Sequence, residues 1–118
     1  YLDLDGFKGV NDTRGHRWGD MLLAQVARRF EEACGEGCEL ARLGGDEFVA
    51  ALPGSDRAAT RQVEARLRHA LDEPFCIDGC DLSISVSIGV AAFPEDGATY
   101  DELLHAADQR MYEEKRRR

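Results

Sequence analysis

Apolar and polar positions along this chain recur with two periods, and the switches between them mark out the elements. Tyr1-Leu2-Asp3-Leu4 reads as the tail of a buried strand, and a turn-rich segment follows from Gly6 to Gly15. From about Trp18 to Ala33, Leu22, Val26, Phe30 and Ala33 recur at helical spacing with Arg28, Arg29, Glu31 and Glu32 between them, which predicts a helix facing a core. Glu39 to Leu43 and Glu47 to Leu52 are short strand candidates separated by Gly44-Gly45-Asp46, the chemistry of a tight hairpin. Pro53-Gly54-Ser55-Asp56 ends the second of these and offers an N-cap at Ser55 or Asp56 to a helix reaching about Leu71, with Ala59, Val63, Leu67 and Ala70 on one face. Leu82, Ile84, Val86, Ile88 and Val90 alternate with Ser83, Ser85, Ser87 and Gly89 in strict period two, which predicts a strand buried on one face. Phe75 to Asp78 is expected to pair with it across the Asp78-Gly79 turn, Pro94-Glu95-Asp96-Gly97 closes the segment, and a last helix from about Tyr100 carries Leu104, Ala107 and Met111.

The order strand, helix, strand, strand, helix, strand, helix is that of an α+β, ferredoxin-like (split βαβ, palm-type) fold, an antiparallel sheet with helices packed on it. A helical crossover makes the first two strands parallel, so both end at the same edge of the sheet. The Gly44-Gly45 turn leaves the second strand at that edge. Asp3 is therefore expected to meet Asp46 and Glu47 in space, although more than 40 positions separate them.

Charge narrows the function. Among 118 residues, 23 acidic side chains outnumber 15 basic ones for a net charge of −8, and 43% of residues are apolar, enough for the core of one domain. The negative balance opposes nonspecific attraction to nucleic acid or an anionic bilayer, so no nucleic-acid partner and no direct membrane contact are expected. Phosphate must then be met by a few placed cations or a metal. No apolar stretch reaches the roughly 20 residues of a bilayer span, and Tyr1 to Lys8 lacks a signal-peptide pattern. A soluble, cytoplasmic segment is expected, which a membrane anchor elsewhere in the full-length protein would not contradict. Residues 1–118 read as a single domain cut at both ends, since the first strand is short and Lys115 to Arg118 stop within a charge run. Cys34-x3-Cys38 and Cys76-x3-Cys80 lack the tighter x2 spacing usual in structural zinc sites and are expected to be reduced thiols.

Two or three carboxylates meeting at a glycine hairpin repel one another unless a cation holds them, and oxygen donors select a hard divalent ion such as Mg²⁺, with Mn²⁺ admissible in the same role. Mg²⁺ takes one or two carboxylates and completes its shell with water and phosphate oxygens, which suits nucleotide chemistry. Gly44 and Gly45, lacking Cβ atoms, let a substrate approach the backbone closely. Taken alone, Asp46 and Glu47 beside two glycines also describe a hairpin with merely solvated acids. The first segment shifts that balance, because Asp3-Leu4-Asp5-Gly6-Phe7-Lys8 sets acids beside an amine and is followed by Asn11-Asp12 and Gly15-His16-Arg17-Trp18-Gly19-Asp20. The amide of Asn11 and the carboxylate of Asp20 suit the edge that guanine presents, and Lys8 suits phosphate.

Arg42-Leu43-Gly44-Gly45-Asp46-Glu47-Phe48, the N-terminal block just quoted, Ser87-Ile88-Gly89-Val90, and Ala107-Asp108 to Met111-Tyr112 with Lys115 together resemble the GGDEF domain of diguanylate cyclases. The likeness covers nearly the whole chain, with five separated motifs in order. It implies an enzyme that joins two GTP into cyclic di-GMP and releases two pyrophosphates. It further implies that Asp3, the Leu4 carbonyl and Asp46 hold Mg²⁺, that Asn11 and Asp20 read guanine, and that Lys8 and Lys115 meet the β and γ phosphates. Glu47 matches a position needed for turnover, and either it or Asp46 helps deprotonate the attacking 3′ hydroxyl. One site holds one GTP whereas the product contains two, so a two-fold homodimer is implied in turnover, although the chain shows no dimerisation helix. The Gly6-Phe7-Lys8 and Pro94-Glu95-Asp96-Gly97 variants resemble those of proteins in which GGDEF precedes an EAL phosphodiesterase domain, so upstream sensory and downstream EAL domains are compatible neighbours. A silent GTP-binding module regulating such a neighbour is the main alternative to an active cyclase. A bare ferredoxin-like interaction module is the third, and predicts no nucleotide binding.

Two positions depart from the family pattern. Many members carry an inhibitory Arg-x-x-Asp product site before the glycine pair, where this chain has Gly35-Glu36-Gly37-Cys38. An arginine four positions after the lysine matched by Lys115 falls beyond Arg118, leaving Arg116, Arg117 and Arg118 as substitutes; alone, this run also reads as a solvated helix end. His16 lies in a matched block and is expected near the nucleotide, His69 and His105 on the surface, and Trp18 and Phe48 in the core. Asp5 is expected either to support the site's acids or to cap a helix.

Overall fold

Leu2 and Leu4 alternate with Asp3 and Asp5 along the first strand, and this alternation sorts the two faces of the sheet. In a computed structural model, which describes residues 1–117, the elements are β1 (Leu2–Asp5), α1 (Phe7–Arg14), α2 (His16–Cys34), β2 (Glu39–Gly44), β3 (Glu47–Ala51), α3 (Arg57–His69), β4 (Phe75–Ile77), β5 (Cys80–Leu82), β6 (Ser85–Ile88) and α4 (Tyr100–Arg116). The main sheet has the order β2-β3-β1-β6 with every neighbouring pair antiparallel, so β1 and β2 run parallel with β3 between them. This is the expected ferredoxin-like α+β arrangement.

Paired residues share a face. Leu2 lies opposite Phe48 and Ile88, and Leu4 opposite Val86; all five are buried, with Phe30 of α2 packed edge-on against Phe48 at 5.2 Å between ring centres. Trp18 and Phe48 join this core as expected. Asp3 and Asp5 lie opposite Ser87 and Ser85 on the other face. There α4 covers β6 so closely that a Cβ on Gly89 would lie 1.9 Å from the Ala107 carbonyl oxygen. Thr99 and Asp56 cap α4 and α3, accepting from Glu102 N at 3.2 Å and Ala59 N at 2.8 Å. Arg29, on the polar side of α2 in the sequence pattern, reaches across to hold the α3–β4 connection through the carbonyls of Ala70, Glu73 and Pro74, with its guanidinium 3.7 Å from the Phe75 ring centre.

The structure corrects four expectations. The segment from Gly6 to Gly15 is not simply a turn but contains α1. Gly6, at φ 78°, turns the chain off β1, and the single buried anchor Phe7 seats a helix with too little apolar period to be read from sequence. Gly15 then separates α1 from α2, which starts at His16 rather than Trp18. The alternating run from Leu82 to Val90 is not one strand. Asp78 and Gly79, both at positive φ, close a two-residue hairpin in which β4 and β5 form their own sheet, while β6 pairs with β1. Strict one-face burial also fails within β6, because α4 buries Ser87 as completely as its apolar neighbours. Finally, Cys34 and Cys38 form a disulfide, and only Cys76 and Cys80, both exposed, are free thiols. Among the described residues, no helix is long and apolar enough to cross a membrane.

Candidate functional site

Cross-strand register brings the acids together. Asp3 of β1 lies opposite Glu47 of β3, and the Leu4 N–H donates to the Asp46 carbonyl at 3.1 Å, tying the turn to the strand by backbone alone. Gly45, at φ 46°, occupies the left-handed region that lets this turn close, and Arg42 Nε donates to its carbonyl at 3.0 Å. Carboxylate oxygens of Asp3, Asp46 and Glu47 lie within 4.8 Å of one another, and all three residues are half-buried. The convergence inferred from topology is thus present in the structure.

Asp3 responds to this crowding. Burial first, and then the Asp46 charge, push Asp3 up from 3.8 to about 6. Since the folded state holds that proton more tightly than the unfolded chain, the stability Asp3 contributes is present at low pH and is lost as pH rises through about 6. Lys115 offsets part of the repulsion. Its Nζ donates to the Leu4 carbonyl at 3.2 Å and to Asp5 Oδ1 at 3.3 Å, and lies 3.3 Å from Asp3 Oδ1 as an ion pair outside hydrogen-bond geometry. That buried Asp3 oxygen therefore has no hydrogen-bond donor. Asp5 has the opposite environment: despite burial, hydroxyls of Ser87 and Ser85, each at 2.7 Å, and Lys115 hold its carboxyl below the ordinary value. Asp5 thus supports the site and does not cap α1, whose N-cap is Gly6.

Sequence reasoning missed three participants. Tyr1 Oη donates to Glu47 Oε2 at 2.7 Å, fixing one carboxylate oxygen and raising the tyrosine hydroxyl's own pKa, an effect to which burial contributes most. Ser85 and Ser87 were legible as the polar phase of a strand, but their acceptor emerges only once β6 is paired with β1. The donor set suits a hard divalent ion: oxygen atoms only, two from neighbouring strands and one from the turn, with the Leu4 carbonyl adjacent and one buried carboxylate oxygen lacking a donor.

The nucleotide-reading candidates are positioned by α1 and α2. A Cβ built on Gly19 would lie 1.8 Å from Asn11 Oδ1, so the Asn11 amide rests directly on that glycine, and its Oδ1 is a buried acceptor with no partner. Asp20 follows on the exposed side of α2, and Lys8 is exposed on α1. Of the two expected phosphate-binding lysines, Lys8 faces solvent and Lys115 rests on the acids. Arg116 stacks over Tyr112 at 5.9 Å instead of approaching the carboxylates, and Arg118 lies outside the described residues. His16, like His69 and His105, is exposed.

At the four positions of the absent Arg-x-x-Asp pattern, Gly35 to Cys38 form a loop beside a cleft of about 280 Å³ that Arg66 also lines. Arg66 is already engaged, donating to the carbonyls of Ala33 at 2.9 Å and Cys34 at 3.5 Å, where it caps the end of α2.

The family model described as "Diguanylate cyclase, GGDEF domain" matches residues 1–118. The chain is 42% identical over 115 residues to the bifunctional diguanylate cyclase/cyclic di-GMP phosphodiesterase MucR of Pseudomonas aeruginosa, covering 98% of this chain and 17% of MucR. It is 35% identical over 115 residues to the cyclic di-GMP phosphodiesterase NbdA of the same organism, covering 98% of this chain and 15% of NbdA. Among solved structures, the isolated GGDEF domain of TpbB (YfiN) from Pseudomonas aeruginosa superposes with a TM-score of 0.93 at 38% identity, covering 99% of this chain and 69% of that one. The chain spans only a small part of these two curated relatives.

Proposed function

The chain belongs to the GGDEF domain family of diguanylate cyclases, and on that premise we propose that it condenses two GTP into cyclic di-GMP and two pyrophosphates. The observation that carries the proposal is the meeting of Asp3, Asp46 and Glu47 beside the Leu4 carbonyl. Asp3, Leu4 and Asp46 would hold Mg²⁺, which when bound neutralises charge on the phosphates and lowers the barrier to attack by a 3′ hydroxyl; Mn²⁺ would fit the same oxygen donors. Asn11 and Asp20 orient guanine, Gly44 and Gly45 leave room for the triphosphate, and Lys8 and Lys115 draw charge from the β and γ phosphates. Asp46 or Glu47 accepts the proton of the 3′ hydroxyl as its oxygen bonds to the α-phosphorus of the other GTP and pyrophosphate departs. Phosphoryl-type transfer depends chiefly on such alignment and charge neutralisation.

Because each chain holds one GTP, turnover requires two copies facing each other about a two-fold axis. Incubation with GTP and Mg²⁺, followed by chromatography for cyclic di-GMP and pyrophosphate over a dilution series, tests both statements. Rate per chain should fall on dilution, and a constant rate into the low nanomolar range excludes a transient dimer. GTP-dependent thermal stabilisation without product would favour a silent regulatory module, a reading to which the likeness to NbdA, named as a phosphodiesterase, lends support.

Two further outcomes are expected. Gly19→Ala introduces a methyl where Asn11 Oδ1 now lies, so Asn11 must swing away. Because alanine favours a helix interior by up to about 1 kcal/mol over glycine, the melting temperature should hardly fall while affinity for a GTP analogue drops by about tenfold. Parallel loss of both, or of neither, would refute the placement of guanine on Asn11. Cyclic di-GMP should not inhibit through the Gly35 to Cys38 loop, which lacks both recognition side chains and whose neighbour Arg66 is committed to backbone carbonyls. Tight product binding at that loop in a calorimetric titration, abolished by Arg66→Ala, would contradict this.

A further inference from the structure

Lys115 rests on two of the very oxygen donors that a divalent ion would need. Its ammonium is 3.2 Å from the Leu4 carbonyl and 3.3 Å from Asp3 Oδ1, and a dication bound to the same two atoms would sit beside it with nothing but charge repulsion between them. The lysine is free to leave, but only by its side chain. The neighbouring Glu114 ties the helix down, accepting from the Ile88 N–H and pairing with Arg68 Nη1 at 2.6 Å, so the backbone of α4 is fixed where Lys115 begins. The four-carbon stem is half-exposed and carries a compact charge that can exchange anionic partners by rotation alone. Its third partner, Asp5, is pinned by two serine hydroxyls, so the lysine has a fixed anchor to swing from.

We infer that Lys115 is a resident counter-ion of the carboxylate site, displaced from Asp3 and the Leu4 carbonyl when a divalent ion binds, and taken up by nucleotide phosphate. The inference rests on the metal role proposed above for Asp3, Leu4 and Asp46. A metal arriving alone must evict a cation that has no new anion to meet, so it binds weakly. When nucleotide is present the evicted ammonium gains a partner, so metal and nucleotide each strengthen the other's binding. Lys115 would thus offset part of the carboxylate repulsion when no metal is bound and make metal loading conditional on nucleotide.

This assigns Lys115→Met an effect of opposite sign on the two ligands. Mn²⁺ alone is titrated into wild type, Lys115→Met and Asp46→Asn, with free Mn²⁺ followed by electron paramagnetic resonance, and the series is repeated with a non-hydrolysable GTP analogue. Lys115→Met should bind Mn²⁺ alone about tenfold more tightly than wild type, bind the analogue more weakly, and show less mutual strengthening between them. A lysine that serves only phosphate would leave Mn²⁺ binding unchanged, and a merely structural one would weaken both; either result overturns the inference. Should Lys115→Met fail to melt cooperatively, amine labelling of wild type read by mass spectrometry serves instead. Labelling of Lys115 should rise several-fold on adding Mn²⁺ and should not rise in Asp46→Asn, and unchanged labelling of wild type overturns the inference. Equal Mn²⁺ binding by wild type and Asp46→Asn would overturn the metal role itself and this inference with it, whereas loss in Asp46→Asn without any Lys115 effect would overturn the inference alone.

Discussion

Asp46→Ala is expected to give a folded domain that makes cyclic di-GMP about a thousandfold more slowly than wild type, the size of effect that follows loss of a group stabilising charge in a transition state. The fold should survive because the turn is tied to β1 through the Asp46 carbonyl, which alanine retains, and because the side chain is a source of repulsion. Removing it takes away one of the charges that push Asp3 up toward about 6, so the metal-free variant should melt no lower than wild type. The two readouts separate the roles: a chromatographic assay reads turnover, and a thermal melt reads the fold. A variant that keeps more than a tenth of the wild-type rate would remove Asp46 from the site, and one that melts far lower would make it a structural residue of the turn.

The largest loss of stability is expected from Gly89→Ala. A Cβ there would lie 1.9 Å from the Ala107 carbonyl oxygen and 2.3 Å from Met111 N, both backbone atoms of a helix, so no side chain can rotate to make room. Helix α4 must lift off β6, at about 3 kcal/mol or more, a fall in melting temperature on the order of 10 °C for a domain of this size. Gly9→Ala makes a fair control, since its Cβ would meet nothing within 4 Å and a helix interior favours alanine. That variant should melt at or above the wild-type temperature, and a Gly89→Ala protein as stable as Gly9→Ala would show that α4 packs more loosely than described.

Much of this site is legible in the sequence. The rule that a helical crossover joins parallel strands was enough to bring Asp3 to Asp46 and Glu47, because strand direction and the hairpin turn are local features with strong signals. Helix α1 was hidden because a single buried side chain, Phe7, leaves no period to detect. The break between β5 and β6 was hidden for the opposite reason: the alternation of Leu82, Ile84, Val86 and Ile88 runs straight through it, and only the choice of partner strand tells the pieces apart. Lys115 was legible as a cation suited to phosphate, but its position on the Leu4 carbonyl was not, because it depends on how α4 crosses the sheet, where Gly89 admits the helix and Glu114 ties it to the Ile88 N–H. The Cys34–Cys38 pairing likewise depends on the tight loop through Gly35 and Gly37 and not on spacing alone.

Lys115 reaches the Leu4 carbonyl across 111 positions of sequence, nearly the whole domain. During synthesis, the carboxylates of β1 and β3 would emerge from the ribosome and come together long before their ammonium is made. A nascent chain therefore carries this acidic cluster without Lys115 until the last turn of α4 docks, so that turn brings both cover for the sheet and a counter-charge for the acids. A chain stalled or clipped before that turn would keep the acids of β1 and β3 without the ammonium that meets them in the folded domain.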